Sequence, residues 1–198
     1  MCNNKPQPVG AGNKNTPASV KNMILCSIFA ALTAVCAQIA VPLPFTPIPL
    51  HLAMLPVILA GGMLGSKLGL RSQLVYLGLG CLGVPIFAGM QGGLGVLLGP
   101  TGGFLMGYLP AAWISGRFYQ RSGRFHQKKG FSMWYQTGIF ILALFSCYAL
   151  GVLWYMAVTG VGWTAAFASC ILPFLPGDIL KSVVAVFLLR RVGKMSFV

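Results

Sequence analysis

The sequence predicts an all-α integral membrane protein of six transmembrane helices with both termini in the cytoplasm. Three observations lead there. Of 198 residues, 57% are hydrophobic and only 8% are charged, whereas a soluble domain carries roughly 25% charged residues to coat its surface. The apolar residues form long runs, and about 20 such residues cross a bilayer. Fourteen Lys and Arg face a single acidic residue, and the cations are grouped at the ends of alternate runs.

Those groups explain the net charge of +13. Lys5, Lys14 and Lys21 precede the first apolar run; Lys67 and Arg71 separate the second from the third. Arg117, Arg121, Arg124, Lys128 and Lys129 follow the fourth, and Arg190, Arg191 and Lys194 close the chain. Retention of Lys and Arg in the cytoplasm sets membrane orientation, so topology accounts for every cation but Lys181. A phosphate-binding surface would place them on one face instead, and nucleic acid is therefore not an expected partner.

Element by element, residues 1–20 are polar, Asn- and Pro-rich, and aperiodic, as a disordered cytoplasmic tail would be. The membrane domain is expected over 21–194, with a short tail at 195–198. Helix one should run from about Asn22 to Val41; its span length exceeds a secretory signal core, so it is expected to be retained. Pro42 and Pro44 stop it, and PLPFTPIPL (42–50) should form a stiff extended loop because each Pro fixes its own φ and restricts its predecessor. Further helices are expected near 51–65, 69–86, 101–119, 132–159 and 177–191. A Gly-rich external loop, a basic cytoplasmic segment at 120–130 and a short helix before Pro173 lie between them. Small residues recur every fourth position at Gly61, Gly65 and Gly69, and again at Gly99, Gly103, Gly107, Ala111 and Ser115. Such rows let helix backbones approach closely in lipid and are expected to serve internal packing. Ala30 and Ala34, with Ser27 and Ala31 beside them, form a smaller patch that suits either packing or a partner protein.

The candidate site follows from charge. Asp178 is the sole acidic residue, and Lys181 lies three positions later, on the same helical face. Twelve residues before Arg190, Asp178 sits about 18 Å inward at 1.5 Å per residue, just past the midplane on the external side. An isolated charge at that depth costs at least ~2.5–3.5 kcal/mol, and an ionisable residue inside a membrane is by default a functional-site hypothesis. The bland reading is a buried pair that locks helix six in place, yet such pairs contribute little net stability relative to apolar packing. An ionised Asp accepts hydrogen bonds and Lys donates them, so the couple suits a ligand with N–H donors and an acceptor or carboxylate.

Other chemistry finds little support. GGLGVLLG (92–99) lacks the G-x-G-x-x-G spacing and follows no strand; no G-x-x-x-x-G-K-[ST] exists to bind nucleotide. His51 and His126 belong to opposite membrane sides, which excludes a shared metal site or a catalytic triad. Six cysteines show no metal-ligand spacing. Neither an enzyme nor a cofactor or metal is expected. Gln91 and Trp163, on the external side, are weaker pocket candidates. Rival readings are a proton-coupled carrier using Asp178 as relay, an intramembrane enzyme, and a scaffold resting on the small-residue rows.

Together PLPFTPIPL (42–50), GVPIFAGMQGGLGVLLGPTGG (83–103) and PFLPGDILK (173–181) resemble BioY, the biotin-specific S component of energy-coupling factor (ECF) transporters. The resemblance covers about 22–191. It implies a multi-pass cell-membrane protein that captures biotin in an external-side pocket. A transmembrane coupling protein and ATPase subunits would then complete uptake. It also implies that Asp178 and Lys181 are polar ligand contacts, that Gln91 approaches the ligand, and that Ala30/Ala34 docks on the coupling protein. On chemical grounds Asp178 suits the ureido N–H groups and Lys181 an oxygen-bearing end, with Phe45, Thr46 and Trp163 near the ring. One departure stands out: after the Pro-rich loop the family usually shows Thr and Gln, where this chain has His51 and Ala53.

Overall fold

A computed structural model describes residues 16–41, 50–125, 133–172 and 174–192. Eight helices are present among them: α1 (Thr16–Gln38), α2 (Met54–Leu64), α3 (Ser66–Cys81), α4 (Leu94–Leu98), α5 (Gly102–Phe125), α6 (Met133–Thr159), α7 (Trp163–Cys170) and α8 (Leu175–Val192). Two-residue strands β1 (Ala40–Val41) and β2 (Leu50–His51) pair antiparallel, Ala40 opposite His51. That pairing ties the end of α1 to the start of α2 across residues 42–49.

The helix ends differ from expectation in ways that have local causes. Helix α1 begins at Thr16, inside the segment expected to be a tail. Pro17 falls in its first turn, where a missing N–H costs no helical hydrogen bond. Pro176 plays the same part in α8, which starts at Leu175 rather than Gly177. Helix α5 runs on to Phe125, through basic residues expected to lie beyond it. Of the expected tails 1–20 and 195–198, residues 1–15 and 195–198 lie outside the described residues.

The second and third helices are shorter than a span. Helix α2 has 11 residues and α3 has 16, about 16 Å and 24 Å at 1.5 Å per residue. Nine of the eleven residues of α2 are buried. A helix that is apolar all round is an interior helix, enclosed here by α1, α3, α5 and α8. The segments 20–38 of α1 and 136–159 of α6 are long and apolar enough to cross a membrane by length and composition. Large apolar side chains cover the outside of the bundle, among them Ile24, Ile28 and Val35 on α1, Ile141 and Phe145 on α6, and Phe187 on α8. Exposed apolar area this continuous marks a surface facing something other than water.

The small-residue rows are packing seams. A Cβ at Gly61 would lie 1.9 Å from Ser115 Oγ and 2.4 Å from the Ala112 carbonyl oxygen, so α2 rides against the backbone of α5. At Gly69 a Cβ would meet the Gly61 Cα at 2.9 Å, and at Gly107 it would meet Cys147 Sγ at 2.8 Å. Gly65, with φ 87°, makes the turn between α2 and α3 in a conformation that favours glycine. Ala30 points inward at 4% exposure and Ala34 is half-buried against the core, while Ser27 and Ala31 face outward.

Gly61→Val should therefore be strongly destabilising, by at least the ~1–3 kcal/mol typical of overpacking, because the obstacle includes backbone. Gly78→Ala, with nothing within 4 Å of the added Cβ, serves as the control. Thermal unfolding in detergent should separate the two by several degrees; equal melting curves would contradict the seam.

Candidate ligand site

Helix α8 brings the sole carboxylate into the interior within its first turn, where the helix dipole favours negative charge. The Asp178 N–H donates to the Phe174 carbonyl at 2.9 Å, and the Ser182 hydroxyl donates to the Asp178 carbonyl at 2.8 Å. One turn on, Lys181 Nζ donates to Asp178 Oδ1 at 2.8 Å. Asp178 is 7% exposed and Lys181 9%. The (i, i+3) spacing puts them on one face, and mutual neutralisation allows both to leave water together.

The second carboxylate oxygen is also engaged. Tyr148, projecting from α6, donates its hydroxyl to Asp178 Oδ2. Its ring is held edge-on against Phe104 of α5, centroids 6.2 Å apart. Three helices thus fix one carboxylate.

Beside this group lies a cavity of about 50 Å³ of free space. Its polar lining is His51, Tyr108, Tyr148, Asp178 and Lys181, and its apolar lining is Met54, Phe104, Leu144, Cys147, Cys170 and Phe174. His51 arrives from β2, and its Nε2 lies 3.3 Å from the Tyr108 hydroxyl. The rings of His51 and Tyr108 meet edge to face, and Tyr108 in turn packs on Tyr76 and Tyr76 on Phe87. A second, almost wholly apolar groove of about 610 Å³ runs between α6, α7 and α8. Leu144, Tyr148 and Asp178 line both spaces, so the Tyr148–Asp178 bond stands in the wall between them.

Of the residues the sequence singled out, Asp178 and Lys181 are in contact at the cavity. Trp163 is not at that cavity; it is 59% exposed and lines the apolar groove, because α7 packs along the outside of α6. Gln91 is exposed and away from the cavity lining. Its loop folds on itself through Phe87 N–H to the Gln91 carbonyl at 2.9 Å and Gly93 N–H to the Gly80 carbonyl at 2.7 Å. Gln38 clamps that loop by donating to the Phe87 carbonyl and accepting from Met90 N–H. Phe45 and Thr46 lie outside the described residues. Ala30, expected on a docking surface, is buried between α1 and its neighbours.

Sequence reasoning missed Tyr108 and Tyr148; it weighed His51 as a metal or triad residue and noted it as a departure from the family pattern, without assigning it to the site. Among the described residues no group of three His, Cys, Asp or Glu side chains could hold a metal. The one available signal was a phenol in an otherwise apolar run, which by itself does not reveal what it faces.

Fold and site together define a helical membrane protein with a neutralised acid–base couple walled into a cavity beneath its apolar surface. The BioY family model matches residues 12–196, and the chain belongs to the BioY family, membrane transport proteins rather than enzymes. A relative in Pyrococcus horikoshii, described as a probable biotin transporter BioY, is 40% identical over 171 residues, covering 86% of this chain and 95% of its own. The biotin transporter BioY of Rhizobium etli is 34% identical over 180 residues, covering 88% and 94%. Among solved structures, the S-component for biotin from an ECF-type ABC transporter shares this fold with a TM-score of 0.82. The match covers 91% of this chain and 95% of that one, at 24% identity.

The couple should behave as a unit. Asp178→Leu leaves a buried ammonium unpaired and should cost about 3–5 kcal/mol, whereas Asp178→Leu with Lys181→Leu should recover most of that loss. Thermal unfolding of the two variants tests this; a double variant no more stable than the single one would contradict it.

Proposed function

We propose that this chain captures biotin in the cavity beside Asp178 and Lys181, on the external side of the membrane, and passes it to an ATP-driven ECF module. The carrying observation is the pair itself: the chain's one carboxylate, buried with its counter-ion at a cavity, in a family whose relatives are described as biotin transporters. The module, a transmembrane coupling protein with ATPase subunits, is inferred from the ECF-type transporter to which the similar solved structure belongs. Nothing resembling a nucleotide-binding loop exists in this sequence.

Six spans with cytoplasmic termini remain our topology, with α2 acting as a short interior span screened from lipid by its neighbours and α3 as a short span with one apolar face exposed. Biotin has a bicyclic apolar body, a ureido group with two N–H donors, and a carboxylate. Asp178 accepts from the ureido N–H groups, and Lys181 has N–H donors beyond the one given to Asp178 for an oxygen-bearing end. At about 50 Å³ the cavity is smaller than the roughly 300–1,000 Å³ of small-molecule sites. Binding therefore requires the lining to part, and the Tyr148 wall beside the larger groove is where space adjoins. Phe45, Thr46, Gln91 and Trp163 contribute only if the external loops close over the bound ligand. Docking on the coupling protein uses the α1 surface, where Ser27 and Ala31 offer the small outward residues that Ala30 does not.

Titration of the purified protein with biotin, thiamine and riboflavin tests the ligand, and biotin alone should bind tightly. Asp178→Asn should weaken biotin at least about tenfold, the scale of one charge-assisted hydrogen bond, while the protein still inserts in the membrane. Unchanged affinity in that variant would refute its role. Vesicles holding this chain alone should not accumulate biotin under a pH gradient; accumulation would establish the proton-coupled carrier instead.

A further inference from the structure

His51 is placed at the cavity by the two-residue strand pairing of β2 with β1, with Ala40 as its partner. Its Nδ1 is buried and has no hydrogen-bond partner among the described residues. The only other such side-chain atom among them is Gln73 Oε1, and Gln73 lines neither described cavity. A buried polar atom left unpaired carries its full desolvation penalty, and native structures keep few of them.

The pairing of Nε2 with Tyr108 shows what the unpaired side offers. If the Tyr108 hydroxyl donates to Nε2, the ring proton sits on Nδ1, which becomes a donor facing no acceptor. If Nε2 instead carries the proton and donates to the phenol oxygen, Nδ1 becomes an acceptor and the phenol proton is released for another partner. Either way the His51–Tyr108 pair has one donor in reserve, and a tautomer change adds an acceptor. Asp178 already has a partner on each oxygen, Lys181 on one and Tyr148 on the other, so a ligand donor there shares or displaces an existing bond. Lys181 supplies the cavity's cation and suits an anionic group; the uncharged, switchable pair suits a neutral one.

We propose that His51, backed by Tyr108, is a specificity-determining ligand contact whose Nδ1 pairs with a neutral hydrogen-bonding group, the edge of a cyclic urea or amide. This rests on the capture of biotin in this cavity and names the residue that reads its uncharged end. His51 directly follows the Pro-rich segment in sequence and precedes α2 by three residues.

Titration calorimetry with three ligands tests it: biotin, biotin methyl ester, whose carboxylate is masked, and 2-iminobiotin, whose ureido oxygen is replaced. His51→Ala should weaken biotin and its methyl ester by the same factor, about tenfold, and should narrow the wild-type preference for biotin over 2-iminobiotin. Biotin affinity equal to wild type overturns the proposal, as does a loss seen with biotin but absent with the ester, which would assign His51 to the carboxylate. His51→Gln, which keeps a neutral amide, should restore binding to within about threefold of wild type. If His51→Ala yields no folded protein, Tyr108→Phe decides: it keeps the ring packing, and unchanged biotin affinity there overturns the proposal. Wild-type protein that binds no biotin overturns the ligand assignment as well, and that outcome is distinct from normal wild-type binding with an indifferent His51.

Discussion

A carboxylate withdrawn from water must have its charge answered within a few ångströms, and in this protein a single carboxylate makes that demand. Asp178 meets it with one oxygen on Lys181 and the other on Tyr148. The first partner lies on its own helix, so it comes with the covalent chain. The second lies on α6, so it ties the seating of α8 to the position of a helix 30 residues away in sequence. Displacing either helix would strand a buried charge, at a cost of several kcal/mol. The site and the packing of the second half of the bundle are therefore one constraint.

The first half is organised differently. Helices α2, α3 and α5 meet through glycine and alanine, with backbone approaching backbone at Gly61, Gly69 and Gly116. In lipid, where apolar side chains gain little by leaving one apolar medium for another, close packing of this kind is what holds helices together. The result is a tightly seamed block carrying α2 in its middle, against which α8 rests. By contrast α6, α7 and α8 leave a groove of about 610 Å³ between them. The space thus lies on the α7–α8 side of α6, whose other side is seamed to α5, and the buried couple lies on the border.

On the proposed reading, that border also reconciles so small a cavity with ligand capture. Tyr148 is shared by the polar cavity and the apolar groove, and among the described residues its hydroxyl is held by Asp178 alone. A ligand donor that replaces the phenol on Oδ2 satisfies the carboxylate equally well, so exchange of one hydrogen bond for another opens the wall without stranding charge. On the opposite side, His51 and Tyr108 hold unspent hydrogen-bonding capacity. The cavity accordingly has a charged wall whose hydrogen bonds can be exchanged and a neutral one that holds bonds in reserve.

How much of this was legible in the sequence depends on the range of the interaction. The membrane class came from composition and from the clustering of cations, which are properties of segments. The partnership of Asp178 with Lys181 came from helical periodicity, because three residues of helix fix two side chains on one face whatever surrounds them. The glycine rows announced close packing for the same reason. What tertiary structure alone decided was every contact across helices. It set Tyr148 on Asp178 and Tyr108 on His51, turned Ala30 inward, and sent Trp163 to the groove instead of the cavity. It also shortened α2, since a helix enclosed on all sides is bounded by its neighbours rather than by the thickness of a bilayer. Spacing along a chain determines which side chains share a face; only the packing of distant segments determines what that face meets.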